Sequence, residues 1–491
     1  MNGRDGKRAR TEDDVRSALR DLERYAPARD RVLRTLGETG TRRRPRRPRR
    51  ARMLAGTPGG RAGAGWPGGP RWRRWAAPAA AALALLVVAA ALALTAGTRG
   101  HHRLPRGGSA TSSPPGLGTP QRNTSGPFSW VSINTLNGLA AVSADDIWAV
   151  GSAATGGPLI ERWTGGVWTP VPAASPRNAK ESLLNSVAAA TSSSAWAVGY
   201  YNNGRAIKTL IERWNGRAWT VVPSPSPGGA HGSFLYGVAA TGPSSAWAVG
   251  YYLLRGSAVR TLIERWDGRA WTQVPSPSPG GSHAWSELHA VAAAGKSGAW
   301  AVGYYGRPIR PLIERWNGRA WTVVPSPNPG GRGGGELDAV TAASGSVAWA
   351  AGSVGTRTVD QPLIERWDGR SWKPVPSPRP AGSRGGTLTA IAADPAGNAW
   401  AVGYSFADTK FEPAVYTLTE RWDGRTWTQV RSPNPGGPAE HLPDQSLLQA
   451  LCMVSPSDAW SAGSYSSGSP AGKILIERWT GRTWTQLPAG R

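Results

Sequence analysis

The triplet glutamate–arginine–tryptophan occurs seven times in this chain, its Glu-Arg pairs running from Glu161/Arg162 to Glu477/Arg478. A carboxylate beside a guanidinium has the makings of acid–base chemistry. One active site needs one or two such carboxylates, however, and seven copies at a regular interval fit a repeated framework better. Glu212, Arg213 and their equivalents are therefore expected to make ion pairs between units or to support turns. The six histidines are His101, His102, His231, His283, His289 and His441. Only His283 and His289 are close in sequence within the repeats, and their spacing matches no ligand motif, so they read as ordinary surface or loop residues and no metal site is expected. Cys452 is the single cysteine, which excludes an intrachain disulfide, a cysteine-based zinc site and a CxxC redox centre. Asp145, Asp146, Asp394 and Asp458 precede tryptophans and read as turn caps, not calcium ligands. No phosphate loop, nucleotide fingerprint or activated-serine signature is present, and no cofactor is expected.

The elements that must carry these residues are strongly periodic. A tryptophan usually followed by Ala-Val-Gly recurs at Trp148, Trp196, Trp247, Trp300, Trp349, Trp400 and Trp460, at intervals of roughly 50 residues. The Glu-Arg-Trp triplet ends at Trp163, Trp214, Trp266, Trp316, Trp367, Trp422 and Trp479, and another tryptophan stands five positions after each. Every unit divides into four short apolar runs bounded by Gly, Ser, Asn or Pro, as in LLNSVAAA, SAWAVGYY, KTLIERW and AWTVVPS. Asn-Gly or Asp-Gly between the third and fourth runs predicts a hairpin. A two-residue turn at Asn215–Gly216 would pair Trp214 with Arg217 and Glu212 with Trp219, and bring Arg217 against the Trp214 ring.

Four strands per unit and seven units predict an all-β fold, a seven-bladed β-propeller over residues 127–491. A closed ring also removes the exposed edges of so many strands. The tryptophans are expected to fill the space between splayed sheets. In such a ring the loops joining strands two and three, and those joining successive units, open on one face. There the sequence is long and variable, whereas the opposite turns are monotonous. Tyr200, Tyr201, Tyr251, Tyr252, Tyr304 and Tyr305 enter the variable face and are the candidate binding residues. The alternative is that they finish strand two by packing on a neighbouring unit.

The formal charge of +26 is concentrated near the start: residues 1–75 hold 22 Lys/Arg against 8 Asp/Glu. Nucleic acid is therefore an unexpected partner for the repeats. Residues 1–75 read as a basic cytoplasmic tail with a short helix at 11–24. Residues 76–96 (AAPAAAALALLVVAAALALTA) carry no charge over a span long enough to cross a bilayer, and the arginines before them predict a cytoplasmic N-terminus and an extracellular propeller. An uncleaved signal anchor in contact with membrane lipid is expected. Residues 97–126 read as a Ser/Thr/Pro/Gly stalk.

With SADDIWAVG (Ser143–Gly151) and SPSDAWSAG (Ser455–Gly463) in view, the chain resembles bacterial β-propeller repeat proteins of the kelch/galactose-oxidase-like or BNR-like kind, in a membrane-anchored, actinobacterial layout. It lacks the Tyr, Cys and His set of a copper-radical oxidase and the distinct arginine triad of a sialidase. The resemblance speaks to the fold and hardly to activity; the anchored layout and the variable face point to a non-enzymatic surface scaffold or adhesion module recognising protein or cell-wall polysaccharide through that face. Two alternatives stand beside it: an extracytoplasmic carbohydrate-active hydrolase or lyase, and a sensory ectodomain coupled to the tail.

Overall fold

The computed structural model describes residues 134–255, 258–279, 285–295, 298–355, 360–380, 382–407, 414–436, 445–467 and 472–490. The tail, its helix, the apolar segment 76–96 and the stalk lie outside the described residues. Within them, no helix is long and apolar enough to cross a membrane.

Each repeat folds into one four-stranded antiparallel sheet whose strands follow chain order. The seven sheets cover 135–170, 181–221, 233–273, 286–323, 335–375, 385–429 and 445–487. The sixth and seventh are also joined by one parallel pairing, Val415 with Gln445. First strands of successive sheets are neighbours, and the first strand of sheet one (Thr135–Ser143) also touches that of sheet seven (Gln445–Ser455). Sheets one and seven share a buried cluster containing Leu136, Ile147, Trp163, Trp168, Trp460 and Ile476. The architecture is all-β, multi-bladed and of the propeller type.

Tryptophan packing explains why three are needed per repeat. The second-strand tryptophan of one sheet inserts between the two outer tryptophans of the next. Trp148 lies 4.9 Å from Trp214 and 5.1 Å from Trp219, the latter edge-on. Trp196 repeats this against Trp266 and Trp271, and Trp460 of the last sheet does so against Trp163 and Trp168 of the first. Tilted and edge-on contacts match the electropositive ring edge to the electron-rich face of its neighbour.

The arginine of each triplet covers this stack. Arg213 lies 5.1 Å above Trp196 and 5.4 Å from Trp266. Arg162 and Arg478 stack likewise, on Trp148 and Trp460, and also make forked hydrogen bonds to Asp146 and Asp458. Two of the four aspartates expected as turn caps are therefore arginine partners. Asp394 does cap its turn, accepting from the Asn398 amide at 2.9 Å.

The expected ion pairing of the glutamates is not what the structure shows. Glu212, Glu264, Glu314, Glu365, Glu420 and Glu477 are fully buried. Several of the seven hold the connector leaving the preceding sheet: Glu212 accepts from the Ala174 amide, Glu314 from Ser276, Glu365 from Ser326 and Glu420 from Ser377. Burial outweighs these hydrogen bonds and pushes the Glu212, Glu314, Glu365 and Glu420 carboxyls up to about 8. An anion there would lose hydration that the single donor facing each carboxyl does not replace. The side chains are neutral hydrogen-bonding struts at physiological pH.

The turn between strands three and four also differs from expectation. Trp214 pairs with Trp219, Arg213 with Thr220 and Glu212 with Val221, so the loop is Asn215–Ala218, two residues longer than expected. The Asn215 carboxamide oxygen accepts from the amides of Arg217 and Ala218, and Gly216 takes φ +93°. The asparagine side chain thus closes the loop in place of a backbone carbonyl. Arg213, and not Arg217, is the residue against the tryptophans.

Candidate functional site

The first strand of every sheet carries a bulge after its buried leucine. The pairing skips one residue between Leu136 and Gly138, Leu184 and Ser186, Leu235 and Gly237, Leu288 and Ala290, Leu337 and Ala339, Leu388 and Ala390, and Leu448 and Ala450. This accounts for the glycine of the Trp-Ala-Val-Gly motif, which sits opposite the leucine. A Cβ on Gly199 would lie 2.0 Å from the Leu183 carbonyl oxygen, and one on Gly250 would lie 2.0 Å from that of Phe234. The bulge presses the two strands together at that point, and only glycine fits.

The skipped residues are Asn137, Asn185, Tyr236, His289, Asp338, Thr389 and Gln449. Three of them stitch one first strand to the next: Asn137 donates to the Leu184 carbonyl at 2.9 Å, Asn185 to that of Leu235 at 2.8 Å, and Thr389 to that of Leu448 at 2.7 Å. Sheets three to five break this pattern. Their bulges bear a phenol, an imidazole and a carboxylate, and the positions two residues earlier bear Phe234, Glu287 and Glu336.

These groups meet. His289 Nδ1 lies 2.9 Å from Asp338 Oδ1, and its Nε2 lies 3.6 Å from Glu287 Oε2. The imidazole is edge-on to Tyr304 at 5.3 Å and tilted over Tyr236 at 5.6 Å. Glu287 is buried and accepts from Trp285 Nε1. Ser353 donates to Glu336 at 3.5 Å, a long contact. Burial opposes the charged imidazole, but hydrogen bonds and charges from Asp338 and Glu287 outweigh it and push its pKa up to about 10. His289 is an imidazolium at neutral pH. Burial raises the Tyr304 hydroxyl pKa first, then the Glu287 and Glu336 charges. Asp360, opening the third strand of sheet five (Asp360–Trp367), is raised by burial and then by the Asp338 charge. Among the described residues no group of three or more His, Cys, Asp or Glu is arranged to hold a metal ion.

The candidate tyrosines divide in two. Tyr251 and Tyr304 are buried, at 7% and 3% exposure, and join Phe234, Val259, Trp285, Ile207 and the half-buried Tyr200 and Tyr236 in one cluster. Tyr251 stacks on Phe234 at 4.8 Å and on Tyr236 at 5.7 Å. Tyr201, Tyr252 and Tyr305 pack into the cores between sheets. The second tyrosine of each pair thus finishes strand two, and the first backs the His289 cluster. Tyr236 and His289 were not among the sequence candidates. His289 is neither a loop nor a surface residue: it lies on a first strand with its side chain 14% exposed. His283 and His441 lie outside the described residues.

No protein-family model matches the chain, and comparison with curated protein sequences finds no match. Among solved structures it is similar to the GH74 xyloglucanase from Xanthomonas campestris, at 18% identity and TM-score 0.47, covering 73% of this chain and 55% of that one. The chain thus spans little more than half of that enzyme. It is also similar to the fucose-specific lectin from Aleuria aurantia, at 16% identity and TM-score 0.35, over 65% of this chain and 99% of the lectin. The β-propeller domain of the trilobed protease from Pyrococcus furiosus aligns at 7% identity and TM-score 0.42, over 74% of this chain and 97% of that domain.

Proposed function

We propose that the chain is a carbohydrate-directed seven-bladed propeller that binds sugar where the first strands of sheets three to five open on the variable face. The observation that carries this reading is the break in the bulge belt, which sets Tyr236, His289 and Asp338 side by side with Glu287 and Glu336 behind them. A pyranose has an apolar face of C–H groups and a rim of hydroxyls. Tyr236 and Tyr200 offer ring surface to the first. Asp338 and Glu336 accept from adjacent hydroxyls in charge-assisted hydrogen bonds. His289, held as a cation, fixes the Asp338 carboxylate and offsets part of the charge of the three carboxylates Glu287, Glu336 and Asp338. The buried Tyr251, Tyr304 and Trp285 form the wall that holds these groups in place. Ring closure is supported by the contact of sheets one and seven. Residues 76–96 would tether the propeller to a membrane with its sugar-binding face outside the cell, and the 97–126 stalk would set its reach.

The test is binding of the detergent-purified full chain to a panel of soluble cell-wall and plant polysaccharides by calorimetry. Tyr236→Ala and Asp338→Asn should each weaken binding by about tenfold or more, the loss of one stacking or charge-assisted contact. Unchanged affinity in both variants would sink the site.

A second reading, an extracytoplasmic glycoside hydrolase, is favoured by Asp360. Burial first, and then the Asp338 charge, raises its carboxyl pKa, and a carboxyl raised beside a second one suits acid–base work. If this reading holds, Asp360→Asn abolishes sugar release while sugar binding survives.

A further inference from the structure

The other face of the sheets carries a feature that sugar binding on the variable face does not use. The turns between strands three and four read Asn-Gly-Arg-Ala, Asp-Gly-Arg-Ala, Asn-Gly-Arg-Ala, Asp-Gly-Arg-Ser, Asp-Gly-Arg-Thr and Thr-Gly-Arg-Thr in sheets two to seven. Each places an exposed arginine at the same position: Arg217, Arg269, Arg319, Arg370, Arg425 and Arg482. Their backbones are nearly superposable. The arginine amide donates to the first side chain of the turn at 2.9 Å in Arg217, 2.8 Å in Arg269 and 2.9 Å in Arg319. The glycines at Gly216, Gly268 and Gly318 take φ of 93°, 98° and 95°. The same turn backbone therefore presents an exposed arginine from one sheet to the next.

Positive charge is in excess on sheets two to five. Arg213, Arg265 and Arg315 stand on the tryptophans just behind the turn arginines, at 5.1, 5.2 and 5.1 Å from the nearest ring. Against these six cations, Asp267 is the acidic side chain in the three turns, and the neighbouring strand one–two turns of sheets two and three are Ser, Thr, Gly and Pro. On sheets one, six and seven the same face is diluted by acids: Asp146 and Asp458 neutralise Arg162 and Arg478, and Asp394 and Asp423 lie in the turns of sheet six, whereas on sheet five Asp368 is offset by Lys373 at 2.6 Å beside Arg366 and Arg370.

We propose that the arc Arg217–Arg269–Arg319, backed by Arg213, Arg265 and Arg315, is a docking surface for a linear acidic polysaccharide, one bearing a carboxylate or phosphate on each repeating sugar. Exposed guanidinium groups that recur from sheet to sheet suit a polymer that also carries recurring anions, because each fork can take one oxyanion in paired hydrogen bonds. A lipid surface fits less well: the turns contain no aromatic or long apolar side chain to enter the headgroup layer, which interfacial binding uses. Nucleic acid fits less well too, because the tryptophans behind the arginines are buried and offer no face for base stacking. This surface is at the opposite end of the sheets from Tyr236 and Asp338, so its failure would leave the sugar site standing, and the reverse.

The test is arginine footprinting of the full chain in detergent, with phenylglyoxal and mass spectrometry, in the presence and absence of polygalacturonate. Modification of Arg217, Arg269 and Arg319 should slow several-fold on adding the polymer, while the variable-face arginines Arg205, Arg255 and Arg310 react at an unchanged rate. A triple Arg→Gln variant at 217, 269 and 319 should lower the dependence of log affinity on log salt by about two, in keeping with the loss of three counterion-releasing contacts. The triple Arg→Gln variant at 205, 255 and 310 removes the same net charge and should leave affinity near wild type. Protection confined to the arginines of residues 42–52, equal effects of the two triple variants, or equal protection by anionic phosphatidylglycerol vesicles or duplex DNA would each overturn the proposal.

Discussion

The amide of Gly490 donates to the Glu161 carboxylate at 3.2 Å, across 329 residues of sequence. Glu161 belongs to sheet one and Gly490 follows sheet seven, so this contact does for the two ends what Ala174 and Glu212 do within the chain. Among the described residues no strand is exchanged between the first and last sheets, and their junction includes this bond, the shared apolar cluster and the Trp460 stack on Trp163 and Trp168. Removing residues 487–491 should therefore lower the unfolding midpoint and expose Trp168. Glu161→Ala should cost about 1–3 kcal/mol, as expected when a buried donor loses its partner. Denaturant unfolding followed by tryptophan fluorescence would show it. A truncated chain with wild-type unfolding would mean that the junction contributes nothing.

The buried glutamates set a pH dependence of stability. The folded-state values of Glu212, Glu314, Glu365 and Glu420 are raised from 4.5 to about 8. Between those values the unfolded chain has lost these protons and the folded one keeps them, so the unfolded state binds fewer protons and stability falls as pH rises. The contribution is full below about 4.5 and gone above about 8. Thermal unfolding midpoints should decline from pH 5 to pH 8.5, and a Glu→Gln replacement at the four positions should flatten the decline. A wild-type midpoint that rises over that interval would show that these carboxyls ionise freely in the folded state.

Each second-strand tryptophan bridges two sheets, so its loss should be felt at a junction and not within one sheet. Trp196 is fully buried between Ala188, Val238, Trp266 and Trp271. Trp196→Ala should cost about 3–5 kcal/mol, the range for deleting a large buried aromatic. Hydrogen exchange should localise the added opening to both the second and third sheets. Exchange raised in one sheet alone would argue that the junction does not couple them.

The frame was legible because it repeats. Three tryptophans, a turn glycine and four short runs recur at fixed offsets, and only a blade of four strands satisfies all of them. The strand-one bulge was not legible, because LLNSVAAA gives no sign that Asn185 is skipped in the pairing. The turn register was missed for a related reason: Asn-Gly is read as a two-residue loop unless the Asn215 side chain is known to close a longer one. The glutamates were read as ion-paired because their neighbours in sequence are arginines, although alternation along a strand sends the two side chains to opposite faces. His289 was passed over because Asp338 is 49 residues away. Aligning the repeats on Leu184, Leu235, Leu288 and Leu337 would have placed Asn185, Tyr236, His289 and Asp338 in one column and marked the exceptions.

His289 provides the sharpest measurement on the candidate site. Its imidazole is held between Asp338 and Glu287, with the folded-state pKa raised from 6.5 to about 10. Its stabilising contribution is complete below about 6.5, where both states are protonated, and disappears as pH rises through about 10. Nitrogen-15 NMR of histidine-labelled protein should thus show one imidazolium that persists past pH 8. Asp338→Asn removes the closest anion and should bring that titration down toward neutrality. A histidine spectrum in which every ring deprotonates between pH 6 and 7 would show that the carboxylates do not hold this imidazole, and the sugar-binding geometry built on it would fall as well.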